Sequence, residues 1–417
     1  MSTLSKAEQL IKKGVHIPNP QSVEIDDDVD LERISADSVS IYSGCKLHGK
    51  ETLILRGAQL GYEAPVTINN CYIGPQVELK GGFFKNATFL KGAGMGSGAH
   101  VREGTILEEA ASCAHTVGLK QTLLFPFVTL GSLINFCDCF MAGGTNSKNH
   151  SEVGSSYIHF NYTPNQDKAT ASLIGNVPQG VMLNQPPIFL GGQGGLVGPV
   201  RLAFGTIIAA GSIYRKDELR SGLLLFDGGT KSGKMAFTPG LYRNIKRSVY
   251  NNLIYIGNLF ALRQWYRWVR YEFISEDFPE TLLKGLRQTL ETAISERISR
   301  LKSLSSKMNR SMELYVQTFG DKVSDKLMAQ KKELSSQWPK IEASFETLKE
   351  FQGDTKARDV FLNSMVQLIP QNQHNYIQTI QGIDNSIKSL GTQWLNTIID
   401  TTLKEIFNFL PSYGISL

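Results

Sequence analysis

The chain has 417 residues, of which 41% are hydrophobic and 19% are charged. This composition predicts a globular protein of two or three domains and excludes a disordered chain. The net charge of +5 comes from the C-terminal part. Residues 1–239 hold 20 basic and 20 acidic side chains, whereas residues 240–417 hold 23 and 18.

The cysteines and the apolar runs bear on the cellular compartment. Lys12 and Lys13 are not followed by an apolar run, and no apolar stretch reaches the roughly 18 residues of a spanning helix. The five cysteines are odd in number and scattered, apart from Cys137 and Cys139. We therefore expect a reduced, cytoplasmic protein whose thiols are buried, with no metal site.

The N-terminal segment, residues 1–35, precedes any repeat. Its apolar spacing predicts an amphipathic helix from about Lys6 to Lys13, followed by an extended, proline-containing stretch.

Residues 36–225 carry a six-residue period, which is clearest near their end. Aliphatic and aromatic residues recur there at Leu196, Leu202, Ile208 and Tyr214. An earlier set with the same spacing is Met95, Val101, Leu107, Cys113, Leu119 and Phe125. A period of six is typical of hexapeptide repeats, in which three short strands form one coil of a parallel β-helix. The pattern therefore predicts a left-handed parallel β-helix.

Two stretches interrupt this pattern. Residues 177–195 contain Pro186, Pro187 and a glycine-rich end, which cannot continue a regular coil and predict an inserted loop. Residues 226–239 are rich in glycine and lysine and predict a linker.

Residues 240–417 change to a helical period and predict an all-α bundle of four or five helices. One long helix is expected to begin near Pro279. Basic and aromatic residues interleave over 241–271, which favours a buried first helix over one lying on a membrane surface. We expect the bundle to serve oligomerisation or docking of a partner protein, and no nucleic-acid motif accompanies its charge.

A resemblance to a known family rests on two blocks of sequence. SSYIHFNYTPNQDKATASLIG, followed by LVGPVRLAFGTIIAAGS, resembles the acetyltransferase half of the enzymes that join a UDP-N-acetylglucosamine pyrophosphorylase to a glucosamine-1-phosphate N-acetyltransferase. HVREGTILEEAA, VGLKQT and LGSLINF extend the resemblance upstream, so that it covers roughly residues 100–217. The resemblance implies homotrimers with active sites between neighbouring β-helices.

Residue roles follow from the resemblance. It implies that Arg102 and Lys120 contact a sugar phosphate, where charge-assisted donors suit the ligand. The pair Asn161 and Tyr162 falls at the junction of the sugar and acetyl-CoA sites, and Lys168 belongs to the same substrate-binding block. The alternatives are a solvated coil face for the two basic residues and a turn role for Asn161.

The acetyl-CoA arm of the family's site implies roles for two further residues. Ala209 and Ala210 fall where backbone groups of the coil face acetyl-CoA, which would be the co-substrate.

The chain also departs from the family. It lacks the Gly-rich phosphate loop of the pyrophosphorylase half. The family's catalytic histidine falls at Phe136, which cannot accept a proton, and a companion tyrosine falls at Cys139. His159 is the nearest candidate to replace the missing base, because a neutral imidazole within hydrogen-bond reach of an amine would serve; the alternative is a packed or hydrogen-bonded histidine of the coil. Other candidates are His115, His150 and Asp138.

Two hypotheses follow. The first is a CoA-dependent N-acyltransferase that acts on an amino-sugar phosphate or a nucleotide sugar. The second is a non-catalytic relative that binds a sugar nucleotide or acts as a scaffold, with the helical bundle as its docking element. Phe136 favours the second hypothesis, whereas the Asn161–Tyr162 block and the basic pair favour the first.

Overall fold

The structure is a computed structural model that describes residues 4–227, 233–234 and 236–414. Its N-terminal half is a parallel β-helix with three faces, as the six-residue period predicts. The strand ladder begins upstream of residue 36, because Glu24–Ile25 pairs in parallel with Lys46 and Leu47. The predicted linker lies partly outside the described residues.

Each coil contributes a short strand to each face, and stacked strands pair in parallel. Face one consists of Glu24–Ile25, Lys46–His48, Val66–Asn69, Gly82–Lys85, Ala99–Val101, the first half of Gly118–Leu124, the first half of Asn135–Met141, Ile158–Phe160, Gly195–Val197 and Ile213–Tyr214. Face two consists of Leu53–Ile54, Tyr72–Ile73, Ala87–Phe89, Thr105–Leu107, the second halves of the same two long strands, Ser172–Ile174 and Arg201–Leu202.

Face three is a separate ladder of ten strands. It consists of Ser40–Ile41, Gln59–Leu60, Glu78–Leu79, Gly94–Met95, Ser112–Cys113, Thr129–Leu130, Glu152–Val153, Phe189–Leu190, Ile207–Ile208 and Leu224–Leu225. The hairpin of Gly144–Asn146 and Asn149–His150 leaves the corner between faces two and three.

The interior of the β-helix follows the repeat. Leu196, Leu202 and Ile208 are buried, as the spacing predicts, because the side chain at every sixth position points inward. All five cysteines are buried and free, which confirms the expectation of buried thiols. The N-terminal end is covered by α1 (Lys6–Lys13), whose predicted bounds are confirmed. Ser5 and Glu8 form a capping box at its start, which satisfies orphan N–H groups.

The expected inserted loop over 177–195 is only partly irregular. It begins with a short helix, α2 (Val177–Gly180), and the coil resumes at Phe189–Leu190.

The described C-terminal part contains eight α-helices, so the prediction of four or five is wrong. They are α3 (Lys246–Trp268), α4 (Glu280–Ser306), α5 (Met308–Phe319), α6 (Asp325–Ser336), α7 (Trp338–Leu348), α8 (Thr355–Leu368), α9 (Tyr376–Gly382) and α10 (Asn385–Phe407). The helical spacing of apolar residues continues across the points where one helix ends and the next begins, so it does not show how many helices there are. Pro339 lies in the first turn of α7, and Asp384 caps α10 with its side chain.

The helices pack on face two. Helix α4 runs along it, and the Thr88 and Thr289 hydroxyls lie 2.7 Å apart. Helix α3 buries 16 of its 23 residues, which confirms the prediction of a buried first helix. Within the described chain, no helix combines the length and apolarity needed to cross a bilayer.

Candidate functional site

A row of basic side chains points outward from face one. Parallel pairing stacks Phe84, Val101 and Leu119, so the row that follows them runs Lys85, Arg102, Lys120, and Cys137 lies next to Lys120 on the following coil. Lys85 and Arg102 are exposed, whereas Lys120 is half-buried. The strand register thus brings together the two residues expected to hold phosphate.

Two neighbours modify this row. Lys120 Nζ lies 2.7 Å from the Glu103 carboxylate. Burial raises the pKa of the Cys137 thiol, and the Asp138 charge adds to that increase, although Arg102 and Lys120 oppose it. Cys137 is therefore a neutral thiol beside the row at neutral pH.

The corner between faces one and two holds a closed polar cluster around Asp138. Asn161 Nδ2 donates to Asp138 Oδ2 at 2.9 Å, and Arg297 of α4 donates to Asp138 Oδ1. The Asp138 and Arg297 side chains are 5% and 2% exposed. Both carboxylate oxygens are thus occupied, and a helix of the same chain covers this corner.

His159 points into the β-helix rather than toward this corner. Its ring contacts the Cys137 carbonyl oxygen through Nδ1 at 2.6 Å and the Ser172 hydroxyl through Nε2 at 2.8 Å. Burial lowers the pKa of His159 to about 4. The imidazole is therefore neutral at neutral pH, but both ring nitrogens already have partners and only 2% of the residue is exposed. Its proposed role as a base stays a prediction.

Phe136 also points inward. It is fully buried, and its ring packs edge-on against Tyr157 and His159 with centroids 6.0 and 6.4 Å apart. Cys139 is fully buried too, and burial raises its pKa well above the usual value. Side chains at these two positions contribute to the core.

The other candidate bases lie at different corners. His150 is in the hairpin between faces two and three, where its Nδ1 is 3.0 Å from the Ser147 carbonyl oxygen. His115 is exposed between faces three and one. Among the described residues, no group of three His, Cys, Asp or Glu side chains has an arrangement that holds a metal ion.

The loop after Asn161 carries two more predicted residues, and both face solvent. Tyr162 is 66% exposed, and Lys168 is exposed with a positive φ of 54°. Asp167 anchors the loop, because its carboxylate accepts hydrogen bonds from the hydroxyls of Thr163 and Tyr242 at 3.0 and 2.8 Å.

Ala209 and Ala210 lie at a different corner, between faces three and one. The Ala209 N–H donates to the Leu225 carbonyl at 2.8 Å and is thus used within the β-helix. Ala210 lies directly over Gly191, where an added Cβ would be 2.3 Å from the Ala210 nitrogen. A single chain does not place these alanines beside Asn161.

Sequence reasoning missed Arg297, which closes the Asp138 corner. A signal was available, because Arg297 lies between Ile294 and Leu301 on the apolar face of its helix, where a charged residue is expected to be buried with a partner.

These observations can be compared with known proteins. The chain is similar to the Bifunctional protein GlmU. It is 26% identical over 224 residues to that of Nitratidesulfovibrio vulgaris (strain DP4), which covers 52% of this chain and 43% of the relative. For Thermotoga maritima the identity is 26% over 215 residues, or 51% of this chain and 42% of the relative. For Pelobacter propionicus it is 27% over 209 residues, or 50% and 40%.

The similarity is confined to part of each protein. The chain spans less than half the length of the curated relatives it matches. No family model matches the chain. The parallel β-helix and the GlmU similarity agree with the resemblance to the acetyltransferase half drawn from the sequence.

Proposed function

We propose that this chain is a non-catalytic relative of the acetyltransferase half of GlmU that binds a sugar phosphate or nucleotide sugar along face one. The closed cluster of Asp138, Asn161 and Arg297 carries the proposal. With only 5% of its side chain exposed beneath Arg297 of α4, the Asp138 carboxylate is out of reach of a substrate amine. Phe136 and His159, which point inward, supply no substitute at the surface.

Phosphate would be held by the outward row. Lys85 and Arg102 are exposed cations on adjacent coils, and their side chains can approach a phosphate from the same side. Lys120 would exchange its contact with Glu103 for the ligand. Asn161 positions the loop that carries Tyr162 and Lys168, whose exposed side chains would contact the sugar. In a homotrimer, a neighbouring β-helix would complete the cleft.

The second candidate is CoA-dependent N-acyl transfer to an amino-sugar phosphate or nucleotide sugar. The GlmU similarity and the retained Asn161–Tyr162 pair favour it. Acetyl-CoA would then run along Ala209 and Ala210 of a neighbouring subunit, and His159 would act as the base. That mechanism requires the His159 ring to leave the Cys137 carbonyl and to reach the surface.

Calorimetry on the full chain distinguishes the candidates. We expect binding of UDP-N-acetylglucosamine or glucosamine 1-phosphate, weakened at least about tenfold in Lys120→Ala, because a charge-assisted contact is worth about 1.5–3 kcal/mol. Lys46→Ala is the matched control, since Lys46 lies on the same face and has an equivalent 2.7 Å contact with Glu24. It is expected to bind normally.

Acetyl transfer is measured separately as thiol release from acetyl-CoA. We expect none, and none in Phe136→His, because position 136 faces the core. Transfer by the wild type, lost in His159→Gln, would establish the second candidate. If neither sugar ligand binds, the proposed function is wrong.

A further inference from the structure

A cavity of 720 Å³ lies between the β-helix and the helical region, away from the Asp138 corner. One wall is the corner between faces two and three, at Lys91, Ala110 and Phe127. The opposite walls are residues 270–278, between α3 and α4, and residues 372–378, which lead into α9. Its volume is within the range of small-molecule sites, roughly 300–1,000 Å³.

Arg270 lines this cavity and is held rigidly. Only 1% of its side chain is exposed, and its guanidinium lies between the rings of Phe278 and Tyr376, at 4.3 and 3.9 Å from their centroids. Trp265 Nε1 donates to the Tyr376 hydroxyl at 3.0 Å and fixes that ring. A buried cation stacked on two aromatic rings is preorganised, so little conformational entropy remains to be lost on binding.

The hydrogen-bonding capacity of this buried pair is only partly used. Arg270 Nη2 donates to Glu109 Oε1, but Arg270 Nε and Nη1 and Glu109 Oε2 have no partner among the described residues. An unpartnered buried polar atom costs about 1–3 kcal/mol. Both residues line the cavity, where a ligand hydroxyl could satisfy an unused donor and an unused acceptor, because it donates and accepts.

The charges that line the cavity are already paired. Arg270 has Glu109, Asp277 has both Arg56 and Lys91, the latter at 2.6 Å, and Glu276 lies 3.9 Å from Arg56. An anionic or cationic ligand would have to be desolvated without a free counter-ion. The remaining polar lining residues are Ser275, His374 and five amide side chains, Gln76, Asn372, Gln373, Asn375 and Gln378. The lining thus suits a neutral molecule with several hydroxyl groups.

We propose that this cavity is a second binding site, which takes a small neutral polyhydroxylated molecule of monosaccharide size. Hydroxyl groups of the ligand accept from Arg270 Nε and Nη1 and donate to Glu109 Oε2. The half-buried ring of Phe127 supplies an apolar wall. The site is separate from the face-one row and does not depend on its function.

The test is saturation-transfer NMR of the full chain with glucose, N-acetylglucosamine and myo-inositol, and with glucuronate as the charged probe. Gln378→Trp fills the cavity from an exposed rim position, whereas Gln371→Trp places the same bulk on an exposed position outside it. At least one neutral probe should bind more tightly than glucuronate. Its affinity should fall at least about tenfold in Gln378→Trp and stay unchanged in Gln371→Trp.

Three outcomes would overturn the proposal: no neutral probe binds, glucuronate binds best, or Gln378→Trp binds as well as the wild type. Lys120→Ala separates this site from the proposed function, because it should weaken sugar-phosphate binding on face one and leave the neutral probe bound.

Discussion

Faces one and two of the β-helix are both ladders of short parallel strands, yet the outward side chains of face one contact solvent and those of face two contact helices. On face one, Lys85 and Arg102 reach solvent. On face two, Thr88 hydrogen-bonds to a helix, and at the adjoining corner Asp138 pairs with Arg297. The repeat determines which side chains point inward. What covers the outward ones depends on a region that lies more than a hundred residues away in the sequence.

The largest effect is expected from removing the charge that covers the corner. Arg297→Ala should lower the free energy of unfolding by about 3–5 kcal/mol, because it leaves the Asp138 carboxylate buried without its cation. Denaturant titration measures this loss.

The matched control for that variant is Lys302→Ala. Lys302 pairs with Glu342 at 2.8 Å on the exposed side of the same helix, where an ion pair is worth about 0–1 kcal/mol. The double variant Asp138→Asn with Arg297→Met removes both charges and should recover much of the stability. A loss below about 1 kcal/mol in Arg297→Ala would mean that α4 does not cover this corner in solution.

Two buried groups make the stability depend on pH in opposite directions. His159 has a folded pKa of about 4, below its usual 6.5, so its contribution is present above pH 6.5 and is lost as pH falls to about 4. For Glu108, burial and the neighbouring Glu109 charge raise the pKa to about 7. Its contribution is present below pH 4.5 and is lost as pH rises to about 7.

Each shift corresponds to a free energy on the order of 3 kcal/mol, so the two largely offset each other between pH 4.5 and 6.5. In Glu108→Gln, the free energy of unfolding should fall as pH decreases from 6.5 to 4.5, because His159 alone titrates. In His159→Gln, it should fall as pH increases from 4.5 to 6.5, because Glu108 alone titrates. Unfolding titrations at pH 4.5, 5.5 and 6.5 measure both slopes. Parallel pH profiles for the wild type and both variants would contradict the assignment.

A smaller loss is expected where Gly285 of α4 packs on Tyr72 of face two. An added Cβ on Gly285 would be 2.2 Å from the Tyr72 ring, so Gly285→Ala should destabilise the fold by about 1–3 kcal/mol. An added Cβ on Gly382, at the end of α9, would meet no neighbouring atom within 4 Å. Gly382→Ala should be neutral or gain up to about 1 kcal/mol. If both variants unfold alike, the close packing on face two is wrong.

The sequence predicted the repeating part of the fold better than the helical part. Six-residue spacing identifies Leu196, Leu202 and Ile208 as inward because the coil repeats the same geometry. The number of helices could not be read in the same way. The apolar pattern continues past Ser306 and again past Gly382, whereas the helices end there, and at the second break the Asp384 side chain caps the next helix.

The candidate site, too, was predictable where it follows the repeat and not where it involves the hairpin or the helices. Arg102 and Lys120 could be placed together, since they lie on adjacent coils of one face. For His159 the sequence left both a base and a packed coil histidine open, because the hairpin insertion that contains His150 breaks the count between Phe136 and His159. The pairing of Asp138 with Arg297 joins residues 159 positions apart, which no local spacing encodes.

Face two also limits how copies of this chain can assemble. A three-faced rod with all sides free could bind a neighbour on each side and grow into a branched sheet. Among the described residues, the chain's own helices pack on face two, so faces one and three are the sides at which neighbours could bind. Two different contact surfaces per subunit are what a closed ring built from head-to-tail contacts requires. The helical region would then lie on the outside of such a ring, where it would stop lateral growth.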